Sequence, residues 1–248
     1  MMDGPILVLS VFPGIGLMDR AFEEAGFCVV RGPDLLWGGD IKRFHPPVGK
    51  FDGVIGGPPC QAFSPLRNLN QKIDRHGNQI PEFERVVSEA QPRWFVMENV
   101  IDAPRPRVRG YGVRDRLVNN RWCGGEQNRL RRFTFGRFVG FVGIPEPLTF
   151  HIDGECLEPA TWRAAVTAAH GGERRTHFNT GTGGKIQRYT VEAALDASGL
   201  PADFFAETFL TRDGQLKVVA QGVPLPMGRA VAKAVKRAMG YEFTEASA

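Results

Sequence analysis

The sequence predicts an α/β protein built on a mostly parallel sheet, and three observations carry that expectation. Short apolar runs recur without polar alternation, segments of helical spacing stand between them, and glycine turns follow the runs. "PILVLSVF" (Pro5 to Phe12) is the first such strand, followed by the turn "PGIG" and by "LMDRAFEEAGF", a helix with Gly26 as its stop. "FCVVRG" and "FDGVIGG" supply two more strands. "PEFERVVSEA" reads as a helix with Pro81 in its first turn, and "RWFVMENV" as the strand after it. From about Gly110 to Arg188 the pattern breaks down. Glycines, aromatics and arginines interleave there, and only "EPATWRAAVTAAHGG" has a helical look. Thr190 then suits the N-cap of "VEAALDASG", which Gly199 ends, and "MGRAVAKAVKRAMG" is a final helix. Its stripe of Met227, Ala230, Val231, Ala234, Val235 and Met239 belongs to a core, with Lys233, Lys236 and Arg237 off it.

With 248 residues, 42% of them hydrophobic, the chain can bury one large domain. No stretch approaches the roughly 20 apolar residues that span a bilayer, and "MMDGPILVLSVFPG" has no basic segment ahead of its apolar run, so a cytoplasmic protein without a membrane partner is expected. Cys28, Cys60, Cys123 and Cys156 show no C-x-x-C spacing, which argues against structural zinc and a disulfide scaffold; no metal is expected. The net charge is only +4, yet arginines crowd residues 105–137, and a second basic patch runs through "RRTHFNTGTGGKIQR". Such patches suit either a solvated face or a nucleic acid.

Three short motifs are each weak alone. "FPGIG" (Phe12 to Gly16) is a glycine turn at a strand end, without the full dinucleotide fingerprint. "GGPPCQAFS" (Gly56 to Ser64) holds Cys60 rigidly after two glycines and two prolines, in a nucleophile's position or simply in a tight turn. "MENV" ends an apolar run with Glu98, where partial desolvation favours a carboxyl able to donate a proton.

Taken in order, these motifs resemble the DNA cytosine-5 methyltransferase family. "FPGIG" is similar to its first motif, "GGPPCQAFS" to its proline-cysteine-glutamine motif, "MENV" to its glutamate-asparagine-valine motif and "QNRLR" (Gln127 to Arg131) to its Q-x-R-x-R motif. "AQGVPLPMGRAVAKAV" resembles the last motif, which closes the cofactor site. The resemblance implies a Rossmann-like S-adenosylmethionine-dependent methyltransferase fold with a small loop-rich target recognition region. Residues 1–132 would form the catalytic and cofactor-binding domain, 133–188 the recognition region, and 189–248 a C-terminal segment returning to the catalytic domain. The implied partner is double-stranded DNA and the implied assembly a monomer.

Cytosine C5 is a poor nucleophile, so a thiolate must first add at C6. The resemblance gives that role to Cys60, the N3 contact to Glu98, the O2 contact to Arg131 and positioning of the base or of Cys60 to Arg129. It places Phe12, Gly14, Gly16, Asp34, Asp40, Ile41, Pro59 and Gln221 around S-adenosylmethionine, with Asp34 on the ribose hydroxyls and Asp40 and Ile41 at the adenine. Gln61, Ser64, Asn99, Gln127, Arg174 and Arg175 are the candidate DNA contacts. The target base must leave the duplex stack, and the loop from Ala62 to Asn78 is the candidate to close over it. The family's first motif commonly opens with Asp and closes with two glycines, and its last usually reads Gly-Asn. Ser10, Leu17 and Ala220-Gln221 depart from that pattern around the cofactor. The short recognition region suggests a short target site, in a solitary bacterial or phage enzyme or one paired with a restriction nuclease. A tRNA cytosine-5 methyltransferase of the same architecture and a catalytically silent DNA-binding member are the alternatives.

Overall fold

The computed structural model describes residues 4–59, 77–140, 152, 163–166 and 189–241. Four strands run parallel: β1 (Leu7–Val11), β2 (Cys28–Arg31), β3 (Gly53–Gly56) and β4 (Trp94–Asn99). Two longer strands, β5 (Tyr111–Asn119) and β7 (Leu130–Phe138), complete a six-stranded sheet in the order β2-β1-β3-β4-β7-β5, with β7 antiparallel to both neighbours. A small parallel pair joins β6 (Gln127–Asn128) to β8 (Arg163–Ala164). The helices are α1 (Leu17–Glu24), α2 (Ile80–Ala90), α3 (Val191–Ala197), α4 (Arg212–Gln221) and α5 (Leu225–Met239).

Both faces of the sheet are covered, which explains the unbroken apolar runs. On one face Val8, Ile55, Val96, Phe133 and Phe135 pack with Phe22 of α1 and with Met227, Val231 and Val235 of α5. On the other, Leu9, Val54, Phe95 and Met97 meet Phe83, Val86 and Val87 of α2. Thus the final stripe is core at Met227, Val231, Ala234 and Val235. A third cluster gathers Leu17 with Val191, Leu195, Val219 and Ala220, so the start of α1 is the seat on which the C-terminal segment docks. Caps follow the sequence: Thr190 Oγ1 accepts from Ala193 N at 3.1 Å, and Gly240 ends α5 in the left-handed region at φ 63°.

Three expectations change in the second half. The stretch after Gly110 holds the two longest strands of the sheet, nine residues each. Their alternation is hidden because arginines occupy solvent-facing and site-facing positions, while Thr134 and Gly136 stand where bulk is forbidden: a Cβ at Gly136 would lie 2.1 Å from Phe95 Cε1. Strand β7 pairs with β4 through Arg137. Within the expected helix "EPATWRAAVTAAHGG", Arg163 and Ala164 form β8 instead, because Gln127 and Asn128 offer them a pairing edge. Helix α4 was not foreseen; Gly214 in its first turn disguises it, although its amide is held by Thr211 Oγ1 at 3.2 Å.

Candidate active site

The parallel strands deliver their C-terminal ends to one edge of the sheet, where ligands of α/β folds gather. At the end of β1, Phe12 takes φ 55°, a conformation that a bulky residue adopts only under constraint, and Gly14 and Gly16 follow at 56° and 76°. The chain therefore turns back sharply, and a Cβ at Gly14 would meet open space. Asp34 braces this loop: its Oδ2 accepts from Gly14 N at 2.9 Å, while Oδ1 accepts from Leu36 N at 2.7 Å. Each oxygen keeps a lone pair that can take a further donor such as a ribose hydroxyl. Asp40 caps the following 3₁₀ turn through Lys42 N at 3.0 Å and stays exposed, whereas Ile41 is buried. The half-buried Phe12, Gly14, Asp34 and Pro59, together with Asp40, are donors, acceptors and apolar surface of the kind an adenosyl amino acid needs. They fit S-adenosylmethionine by their chemistry. Gln221, at the end of α4, is exposed.

Two aromatics that periodicity could not reveal stand at this loop. Trp37 Nε1 donates to Gly14 O at 2.7 Å, and Phe209, 80% exposed, meets the Trp37 ring edge-on at 6.1 Å. Exposed large aromatics are the available signal, and it requires surface areas.

The departures also have physical roles. Ser10 Oγ donates to Asp19 Oδ1 at 2.5 Å, and Arg31 Nε reaches Asp19 Oδ2 at 3.0 Å, so a carboxylate stands beside Ser10 after all, supplied from α1. Burial pushes the Asp19 carboxyl above its ordinary range, against the lowering influence of Ser10 and Arg31. Leu17 fills the space above Gly222, where a Cβ would come within 2.5 Å of Leu17 Cδ1. The second glycine of the usual motif is thus replaced by an apolar contact to the C-terminal segment.

The end of β3 leads into the loop that carries the expected nucleophile. Gly56 and Gly57 are needed for close approach: a Cβ at Gly56 would lie 2.7 Å from Val11 O, and one at Gly57 would lie 3.3 Å from Glu98 Oε2. Glu98, at the end of β4, forms an ion pair with Arg131 Nε at 3.0 Å. The two side chains are only 12% and 20% exposed, so the pair is fixed rather than a solvated surface contact. Arg131 Nη1 donates to Leu130 O at 2.8 Å, which further restricts the guanidinium. The structure thus brings Glu98, Arg131 and the Gly57–Pro59 turn together. Cys60, Gln61 and Ser64 fall outside the described residues, as do Arg174, Arg175 and nearly all of the expected closing loop.

Three other expected site residues turn inward. Asn99 is buried, donates from Nδ2 to Pro58 O at 3.1 Å and accepts Val100 N at 2.9 Å, so it holds the proline turn in place of contacting DNA. Gln127 is buried as well; its Nε2 donates to Ala197 O at 2.9 Å and Ser198 Oγ at 3.0 Å, and its Oε1 accepts Val166 N at 3.2 Å. That geometry does not fit a DNA contact. Arg129, 4% exposed, donates to Val166 O at 3.0 Å, Ala220 O at 2.8 Å and Gly222 O at 3.2 Å. Its guanidinium clasps the C-terminal segment.

Residues 38–141, which span the proline turn, Glu98 and Arg131, match the family described as C-5 cytosine-specific DNA methylase. The chain is 31% identical over 163 residues to the type II methyltransferase M.FnuDI of Fusobacterium nucleatum, a match covering 54% of this chain and 46% of that one. It is 29% identical over 147 residues to M.NgoPII of Neisseria gonorrhoeae, covering 52% and 39% respectively. The chain thus spans about half or less of the length of these relatives. Among solved structures, the methyltransferase EhMeth of Entamoeba histolytica superposes with a TM-score of 0.64 at 12% identity, over 96% of this chain and 99% of that one. At that identity the likeness concerns the fold, a mostly parallel six-stranded sheet with flanking helices. No described helix is long and apolar enough to cross a membrane.

Proposed function

We propose that the chain transfers a methyl group from S-adenosylmethionine to C5 of a cytosine flipped out of a short site in duplex DNA. The observation that carries this reading is the fixed Glu98–Arg131 pair beside the Gly57–Pro59 turn. A protonated carboxyl that donates to N3 and a guanidinium that donates to O2 match that edge of cytosine, and Cys60 follows Pro59 directly in the chain. The Cys60 thiolate adds to C6, drawing on Glu98 at N3 and Arg131 at O2 to hold the charge that moves onto the ring. Bound S-adenosylmethionine would supply an electrophilic methyl group for C5, its methyl–sulfur bond breaking to leave S-adenosylhomocysteine. A base then removes the C5 proton, the Cys60–C6 bond breaks, and the thiolate and the aromatic ring are restored. Asn99 and Gly57 serve this chemistry by holding the turn against Glu98. Asp34, Gly14 and Phe12 orient the cofactor, with Asp40 and Ile41 at its adenine.

The test is expression in cells lacking cytosine methylation, followed by bisulfite sequencing of total DNA and of tRNA. The expected result is 5-methylcytosine in DNA at one short sequence, abolished by Cys60→Ala. Methylation confined to tRNA would refute the DNA substrate, and methylation surviving Cys60→Ala would refute the covalent route.

A further inference from the structure

Next to the Glu98–Arg131 pair, on the opposite face of the sheet, lies a cleft of about 550 Å³ lined by Asn78, Pro81, Glu84, Arg105, Arg107 and Arg132. Successive residues of a strand point to opposite faces, so adjacent arginines of β7 divide their labour: Arg131 turns to Glu98, and Arg132 turns toward α2 and lines the cleft. The Nε and Nη2 atoms of Arg132 are buried and have no hydrogen-bond partner among the described residues. A buried guanidinium without an anion is unfavourable, and strands β4 and β5 on either side hold this one in place through Asn99 and Leu117. The acidic groups at the rim are engaged elsewhere. Arg105 Nε is paired with Asp115, whose other oxygen accepts from Thr134 Oγ1 at 2.7 Å. Glu84, the one acidic residue of the lining, accepts from the main-chain amide of Arg107 at 2.6 Å. That bond leaves the Arg107 side chain free to reach into the cleft. The N-terminal end of α2, with its positive partial charge, closes the same wall at Ile80 and Pro81.

We propose that this cleft seats a backbone phosphate of the nucleic-acid strand whose cytosine is presented to Glu98 and Arg131. The inference rests on the cytosine methylation reading and names a strand contact for it. Planar guanidinium groups suit a phosphate's oxygens, and neighbouring residues of one strand place base and backbone of one nucleotide on two sides of the sheet edge. A free phosphate has the same chemistry; continuity with Arg131 favours the strand.

The experiment titrates a fluorescein-labelled duplex of arbitrary sequence by anisotropy over a series of salt concentrations, with wild type, Arg132→Gln and Arg107→Gln. Arg107 is exposed, so its variant keeps the test valid if the Arg132 variant does not fold. Each lost phosphate contact lowers the slope of log K against log salt by about 0.9 for duplex DNA, and that drop is expected in both variants. Bisulfite sequencing run in parallel reads the underlying function separately. Unchanged slopes in both variants, with wild type binding and methylating DNA, would overturn the phosphate seat and leave the methylation reading intact. Weaker binding at an unchanged slope would do the same, since it signals a structural loss. Inorganic phosphate raising the melting temperature of wild type alone, with duplex slopes unaltered in the variants, would overturn the strand contact in favour of a free anion. Wild type without salt-dependent affinity for duplex would remove the reading on which the inference rests.

Discussion

Replacing Arg129 by methionine separates a clasp from a catalytic group. Its guanidinium donates to the carbonyls of Val166, Ala220 and Gly222 from a position 4% exposed to solvent. Hydrogen bonds to a charged donor contribute about 1.5–3 kcal/mol each, but three that share one guanidinium are not additive, and carbonyls freed at a loosened segment regain water. A net loss of about 3–5 kcal/mol is therefore expected, a large part of the roughly 5–15 kcal/mol that keeps a domain folded. At about 2–4 °C per kcal/mol for a chain of this size, the melting temperature should fall on the order of 10 °C. Arg129→Lys should recover only part of it, because an ammonium cannot span three carbonyls that lie in different directions. The assay is thermal unfolding followed by circular dichroism, with S-adenosylmethionine affinity measured by calorimetry below the transition. Affinity should fall together with stability, since the same segment carries Ala220 and Gln221. A variant that melts as wild type does while methyl transfer collapses would refute the clasp and return Arg129 to the substrate.

Four further outcomes follow from the geometry. Gln127→Leu should destabilise by about 1–3 kcal/mol in urea unfolding, by stranding the buried Ala197 and Val166 main-chain groups, and should leave the salt slope of duplex binding unchanged. Gly57→Ala should reduce the turnover number more than tenfold with little change in melting temperature, because the new methyl, 3.3 Å from Glu98 Oε2, presses the carboxylate off Arg131. Glu24 is held below its ordinary 4.5 by the Arg229 hydrogen bond first and Arg20 after it, so their stabilisation is full above that value and fades as acid protonates Glu24. Arg229→Gln should therefore cost under about 1 kcal/mol near neutrality, a difference that vanishes in urea unfolding at more acidic pH. Burial pushes the Cys123 thiol to about 11, so iodoacetamide near neutral pH should spare Cys123 and label the exposed Cys28, as peptide mapping would read.

The first half of the chain is legible in the sequence because its strands are buried on both faces and its turns are marked by glycine. Val8, Leu9, Val54 and Ile55 need no alternation when α1 and α5 cover one side and α2 the other. The second half conceals itself for the opposite reason. β5 is an edge strand with exposed Arg114 and Arg116, and β7 mixes Phe133 and Phe135 with arginines aimed at the site, so neither period stands out. The motifs single out Glu98 and Arg131 separately, and the ion pair between them at 3.0 Å is visible only in the structure. The inward turn of Asn99, Gln127 and Arg129 was not, since a polar residue in a motif reads the same whether it holds a ligand or a neighbouring carbonyl.

The clasp formed by Gln127 and Arg129 reaches partners 37 to 93 positions further along the chain. A ribosome must therefore complete the segment through Gly222 before the wall behind the Phe12–Gly16 loop can close, although the strands bearing Glu98 and Arg131 are made long before. Non-local closure of this kind is slow to form and quick to lose. Premature termination, or a nick between β7 and α3, would leave a sheet with its ion pair in place and no closed wall behind the Phe12–Gly16 loop. Closure of that wall is thereby tied to synthesis of the chain through Gly222.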